Sequence, residues 1–155
     1  MALPVGLTAP DFTLHDQDRN PVSLADFRGD RAVVLVFFPF AFTGTCQGEL
    51  CSIRDQLPDF DNEHVVTLAV STDSTASLKA WADQQGFTFR LLSDAWPHGE
   101  VAQAFDVFNE HVGVAERGTF VIDRDGVIVH AVHHGIGDAR DESDYLAALA
   151  DIGAT

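Results

Sequence analysis

AVVLVFFPFAFTGTCQGELC (residues 32–51) decides how this chain folds. The run AVVLVFFPF is continuously β-branched and aromatic, which predicts a strand buried on both faces, and Pro39 ends it. From Gln47 to Leu57 the apolar residues Leu50, Ile53 and Leu57 recur at helical spacing, and Pro58 lies just past the last of them, so a helix is expected there. The order is strand, loop, helix. The chain's only two cysteines, Cys46 and Cys51, stand at that junction.

The pattern repeats outward from this unit. VVTLAVS (65–71) predicts the next buried strand, followed by a helix with Ser74 or Thr75 as N-cap, an apolar face at Leu78, Trp81 and Ala82, and Gly86 as its stop. Upstream, Phe12 to Leu14 and Pro21 to Leu24 are strand-like pieces around a polar turn at Asp16 to Asn20. Downstream, FRLLSD (89–94) is a short strand, GEVAQAFDVF (99–108) a helix, and GTFVIDRDGVIVHAVHHG two strands joined at the turn Asp-Arg-Asp-Gly. A last amphipathic helix, ESDYLAALADI, turns Tyr145, Leu146, Leu149 and Ile152 inward. Two βαβ-like units, a hairpin and a final helix describe an α/β protein with a mixed central sheet and helices on both faces. One domain over residues 1–155 is expected, since the length is typical of one and a hydrophobic fraction of 46% supplies its core.

Composition narrows the partners. The formal net charge is −15, from 24 acidic against 9 basic residues, with Lys79 the only lysine. Nucleic acid is therefore not an expected partner, because binding it draws on many Lys and Arg contacts to phosphate. No apolar run of about 18 residues is present, and the N-terminus lacks a basic and apolar leader, so neither a membrane span nor export is expected. Two cysteines are too few for a secreted disulfide framework and form no C-x-x-C zinc pair, so their value lies in reactivity.

Cys46 stands between the buried strand and the first turn of the next helix. Unpaired N–H groups and the positive end of the helix dipole favour a thiolate there. The competing account is a small buried hydrophobe. Pro39, Thr43 and Cys46 form P-x-x-x-T-x-x-C, and Arg117 opens the strand RGTFVID. Together with APDFTL, LKAWADQQGFTFRLLSD and LLSDAWPHGEVAQAFDVFNE, in order over nearly the whole chain, these residues resemble the peroxiredoxin family, and most closely its AhpE-type subfamily.

That resemblance implies a thioredoxin-like fold carrying an N-terminal β-hairpin extension, a thiol-dependent peroxidase activity on hydrogen peroxide and organic hydroperoxides, no cofactor, and a cytoplasmic role in antioxidant defence. It assigns catalytic roles to Cys46, Thr43, Arg117 and Pro39. The Cys46 thiolate would attack the peroxide and become a sulfenic acid. Thr43, the Cys46 N–H and Arg117 would bind the two peroxide oxygens, and Pro39 would shield the sulfur from water. Glu49 would hold the guanidinium fork of Arg117. Taken alone, Thr43 could be a turn or N-cap residue, Arg117 a surface charge, and Glu49 a complement to the helix dipole.

Cys51 departs from the one-cysteine AhpE pattern. C-x-x-x-x-C resembles the PrxQ type (bacterioferritin comigratory protein), whose second cysteine closes an intramolecular disulfide. Five residues of intact helix separate Cα atoms by about 8.7 Å, and a disulfide spans at most about 7 Å, so closure requires the first helical turns to unwind. Gly48 lies in that stretch and makes the unwinding easier. A packed core cysteine is the other account of Cys51.

The cluster His130, His133 and His134 invites a metal site, but strand alternation sends His133 to the opposite face, so exposed edge histidines are expected instead. Phe40, Phe42, Trp96, Phe105 and Phe108 are expected to rim the active site or a homodimer contact. The reductant is a thiol: thioredoxin, mycoredoxin or a low-molecular-weight thiol such as mycothiol. Two other functions remain open, a redox sensor using the same thiolate and a disulfide reductase. The latter wants C-x-x-C at the helix start, where this chain has Glu49 at the second position.

Overall fold

The computed structural model describes residues 2–136 and 143–153, with the backbone alone described at 45–47 and 143–145. β1 (Thr13–Asp16) and β2 (Pro21–Ser23) form a hairpin, and a 3-10 turn (Leu24–Phe27) leads into β3 (Ala32–Phe37). Then come α1 (Gly44–Asp55), α2 (Leu57–Phe60), β4 (Val65–Ser71), α3 (Thr75–Gln85), β5 (Arg90–Ser93) and α4 (Glu100–Ala104). The chain continues through β6 (Phe108–Asn109), β7 (Val114–Ala115), β8 (Arg117–Ile122), β9 (Ile128–His134) and α5 (Ser143–Asp151).

Seven strands form one sheet in the order β2-β1-β5-β4-β3-β8-β9, while β6 and β7 pair as a separate ribbon. β3, β4 and β5 are parallel, and β8 lies antiparallel beside β3. The N-terminal hairpin is part of this sheet rather than an appendage, because β1 pairs antiparallel with β5.

The two-period of β3 explains both layers. Val33, Leu35 and Phe37 enter one layer with Phe105, Phe120 and Ile122, while Val34, Val36 and the following Phe38 enter the other with Leu50, Ile53, Leu78 and Trp81. A strand buried on both faces needs no polar alternation, which is why it is read so directly from the sequence. α3 begins and ends as its sequence predicts: Ser74 Oγ accepts from the Ser77 N–H, and Gly86 takes φ 74°. In α5, Leu149 is buried and Leu146 and Ile152 pack beside it, while the Tyr145 side chain lies outside the described residues.

Five expectations change. α1 starts at Gly44, three residues early, because its first turn is made of small and polar residues that carry no apolar period. Pro58 does not follow a helix end but sits in the first turn of α2, where a missing N–H costs nothing. α4 stops at Ala104 rather than running through Phe108. Asp106 adopts φ 58°, and the N–H groups of Asp106 and Val107 bond back to Gln103 and Ala102. This is a Schellman ending built on aspartate, so the usual glycine signal is missing.

Phe105 is the fourth change, since it is wholly buried and rimless. Its ring lies 5.5 Å from Phe37 and 5.1 Å from Phe120. The histidines of β9 keep the predicted alternation, His130 opposite Val121, His133 opposite Gly118 and His134 opposite Arg117, but they are half-buried. His133 Nε2 lies 2.8 Å from Glu116 Oε1. Among the described residues no group of three His, Cys, Asp or Glu could hold a metal, and no helix is long and apolar enough to cross a membrane.

Phe105→Ala is expected to destabilise the fold by about 3–5 kcal/mol, whereas Val112→Ser, at a position 53% exposed, changes it by no more than about 0.5 kcal/mol. Urea denaturation of the two variants measures the difference, and equal midpoints would contradict the burial assigned to Phe105.

Candidate active site

The end of β3 is fastened before it turns: the Phe38 N–H donates to Val70 O at 3.0 Å, and Pro39 follows, buried. Phe40 then emerges, 38% exposed, and Phe42 stands 52% exposed with φ 65°. That left-handed conformation is unusual for a bulky residue and needs support from its surroundings. Part of the support is aromatic, since the Phe42 ring lies 6.0 Å from that of the buried Trp81.

Thr43 occupies the N-cap of α1 with extended backbone, φ −103° and ψ 149°, yet its side chain caps nothing. Its hydroxyl donates instead to Phe40 O at 3.0 Å. The consequence is chemical: with its hydrogen engaged, Thr43 Oγ1 presents lone pairs and acts as an acceptor. Cys46 is the third helical residue, so its N–H belongs to the first four, which have no partner within the helix. No acidic residue lies in the first turn to neutralise that positive end.

Arg117 reaches the same place from the neighbouring strand, on the face of the sheet that α1 covers. β8 pairs with β3 up to Val36 and Thr119, which carries Arg117 two residues beyond, alongside the end of β3. The arginine is buried at 2% exposure. Its Nη1 donates to Glu49 Oε1 in a close ion pair, and its Nε donates to Ile136 O at 2.7 Å. Glu49 is also buried and sits three residues after Cys46, one turn further along α1. The guanidinium is therefore oriented at two corners of its fork beside the opening turn of the helix.

The other expected residues lie further out. Cys51 is half-buried in the same continuous helix, packed against the layer that holds Leu50 and Ile53, with Sγ 3.8 Å from Gln85 Oε1. Trp96 is 85% exposed. Phe108 is half-buried, its ring edge-on to His98 at 6.0 Å and covering Gly99, where any Cβ would meet it at 2.2 Å. Two contributors escape a sequence reading. The Ile136 carbonyl is backbone and leaves no residue signal, and Trp81 reads as an ordinary core position.

The seven-stranded sheet thus has a cysteine in the first turn of the helix after the inner strand β3, and a buried arginine at the start of the neighbouring antiparallel strand. Residues 5–131 match the model of the AhpC/TSA family. The chain is 55% identical over 150 residues to alkyl hydroperoxide reductase E of Mycobacterium tuberculosis, covering 95% of this chain and 98% of that protein. Peroxidoxin BcpB from Mycobacterium tuberculosis superposes with a TM-score of 0.85 at 33% identity, covering 96% and 97% of the two chains. The reduced 2-Cys peroxiredoxin of Plasmodium vivax does so with 0.87 at 26% identity, covering 96% and 81%. The chain belongs to the AhpC/TSA family of peroxiredoxins and is a thiol-dependent peroxidase.

Glu49→Ala removes the carboxylate facing a buried guanidinium and is expected to cost about 3–5 kcal/mol of stability in urea denaturation. A loss below about 1 kcal/mol would show that the pair contributes little to holding α1 against β8.

Proposed function

We propose that Cys46 is the peroxidatic cysteine of a cytoplasmic, single-domain peroxidase acting on hydrogen peroxide and alkyl hydroperoxides. The observation that carries this reading is the burial of Arg117 with its fork paired to Glu49, one helical turn from Cys46. In the proposed reaction the Cys46 thiolate attacks the terminal oxygen of the hydroperoxide. The S–O bond forms as the O–O bond breaks, sulfur is oxidised to sulfenic acid, and the leaving oxygen takes a proton to depart as water or alcohol. Thr43 Oγ1 accepts the peroxide O–H, while the Cys46 N–H and the Arg117 guanidinium donate to the oxygens as negative charge moves onto the leaving one. Pro39 keeps water from the sulfur.

Cys51 is proposed to resolve the sulfenic acid. Its thiolate attacks Cys46 sulfur, releases water and leaves an intramolecular disulfide, which a thiol reductant such as thioredoxin, mycoredoxin or a low-molecular-weight thiol returns to two thiols. The continuous helix between them must open first. Several local features favour opening: Thr43 makes no capping bond, Gly44 and Gly48 are exposed with open space around them, and Ser52 Oγ donates to Gly48 O. Glycine and back-bonded serine both weaken a helix interior. The exposed rings of Phe40 and Phe42 in the loop before α1, and the exposed Trp96, support a homodimer contact and apolar tails on the substrate.

Whole-protein mass and free-thiol count after one equivalent of peroxide test this cycle. Wild type is expected to lose two thiols, and Cys51→Ser to trap a sulfenic acid on Cys46. A persistent sulfenic acid in both proteins would remove Cys51 from the cycle, and a Cys46 that does not oxidise would overturn the assignment of the peroxidatic residue.

A further inference from the structure

The residues between Pro39 and the helix start carry a tie that no catalytic group explains. Asp73, half-buried in the loop between β4 and α3, accepts through Oδ2 from the Ala41 N–H at 2.9 Å and from Ser71 Oγ at 2.7 Å. Ser71 is fully buried at the end of β4, and its Oγ accepts in turn from the Asp73 N–H at 3.3 Å. The Asp73 carbonyl accepts from Ser93 Oγ, at the end of β5, at 2.6 Å. One residue thus connects the ends of two parallel strands to the backbone of the reactive loop, its carboxylate holding β4 and Ala41 and its carbonyl holding β5.

The loop needs that connection. Ala41 lies immediately before Phe42, whose left-handed backbone persists only where neighbouring groups hold it. Phe40 O, two bonds of chain further back, receives the Thr43 hydroxyl. Releasing the Ala41 N–H frees the turn to relax around Phe42, which displaces Phe40 O and Thr43 together and moves the residue that begins α1. Among the described residues the Asp73 carboxylate bonds the Ala41 N–H and Ser71 Oγ and neither Thr43 nor Arg117, so its influence runs through the shape of the turn.

We propose that Asp73 is a positioning residue of the peroxidase, its Oδ2 fixing the Ala41 N–H and thereby the placement of the Thr43 hydroxyl. This rests on the reading of Cys46 and Thr43 given above. The requirement is an acceptor at one point in space, not a negative charge. Misplacement of a reacting group by about 1 Å is enough to cost about a hundredfold in rate.

Two substitutions separate place from charge. Asp73→Asn retains an acceptor oxygen at the same distance and discards the charge, whereas Asp73→Glu keeps the charge and moves the carboxylate outward by one methylene. In a Cys51→Ser background, single-turnover oxidation of Cys46 by hydrogen peroxide is expected to fall by about tenfold or more in Asp73→Glu and to stay within about threefold in Asp73→Asn. Alkylation of Cys46 by iodoacetamide, which needs the thiolate but not the peroxide-binding Thr43, is expected to stay within about twofold in both, with an unchanged pH profile. The reverse order of the two variants, equal rates in all three proteins, or a parallel fall in alkylation would each overturn the proposal. The Asp73-intact protein is the control: if its Cys46 does not oxidise, the peroxidatic assignment fails, and if it oxidises while the variants match it, only the role of Asp73 fails.

Discussion

The ion pair between Arg117 and Glu49 is the constraint on which the site depends. Both groups are withdrawn from water, and burial of a charge is tolerable only with a partner in good geometry. The pair fastens α1 to the first residue of β8, two elements far apart in sequence, and so fixes the helix start against the sheet. An arginine held at Nη1 by a carboxylate and at Nε by the Ile136 carbonyl cannot swing away, and its charge is delivered where the helix already presents unpaired N–H groups.

Rigidity around that turn is uneven. On the strand side, Phe38, Pro39, Ala41 and Thr43 are each bonded or buried, and Phe42 is braced on Trp81. On the helix side, Thr43 makes no capping bond, Gly44 opens α1, and Gly48 weakens the helix between the two cysteines. This division suits a catalyst that must hold its reactants in register during attack and then release the helix. In the proposed cycle the residues that would align the peroxide belong to the rigid half, and the second cysteine belongs to the half that would open.

Much of this was legible beforehand because the signals were local. The buried strands β3 and β4 announce themselves by unbroken β-branched and aromatic runs, and Ser74 and Gly86 bracket α3. P-x-x-x-T-x-x-C with a distant arginine carries the resemblance to the peroxiredoxins, and residues 5–131 match the AhpC/TSA family. What escaped notice is long-range or disguised. Asp106 ends α4 in a conformation that glycine usually supplies, so the helix seemed to continue through Phe108. Phe105 resembled its exposed aromatic neighbours until the packing placed it against Phe37 and Phe120. The role of Asp73 depends on an N–H 32 residues away, a contact that no spacing in the sequence encodes.

The central claim is that this junction makes Cys46 a thiolate at neutral pH. The most direct measurement is the pH dependence of its single-turnover oxidation by hydrogen peroxide, made in the Cys51→Ser protein so that one sulfur reports. The account predicts a rate that rises through a midpoint below that of an ordinary thiol and is flat above it. A midpoint at about 8.5, that of an ordinary thiol, would contradict it.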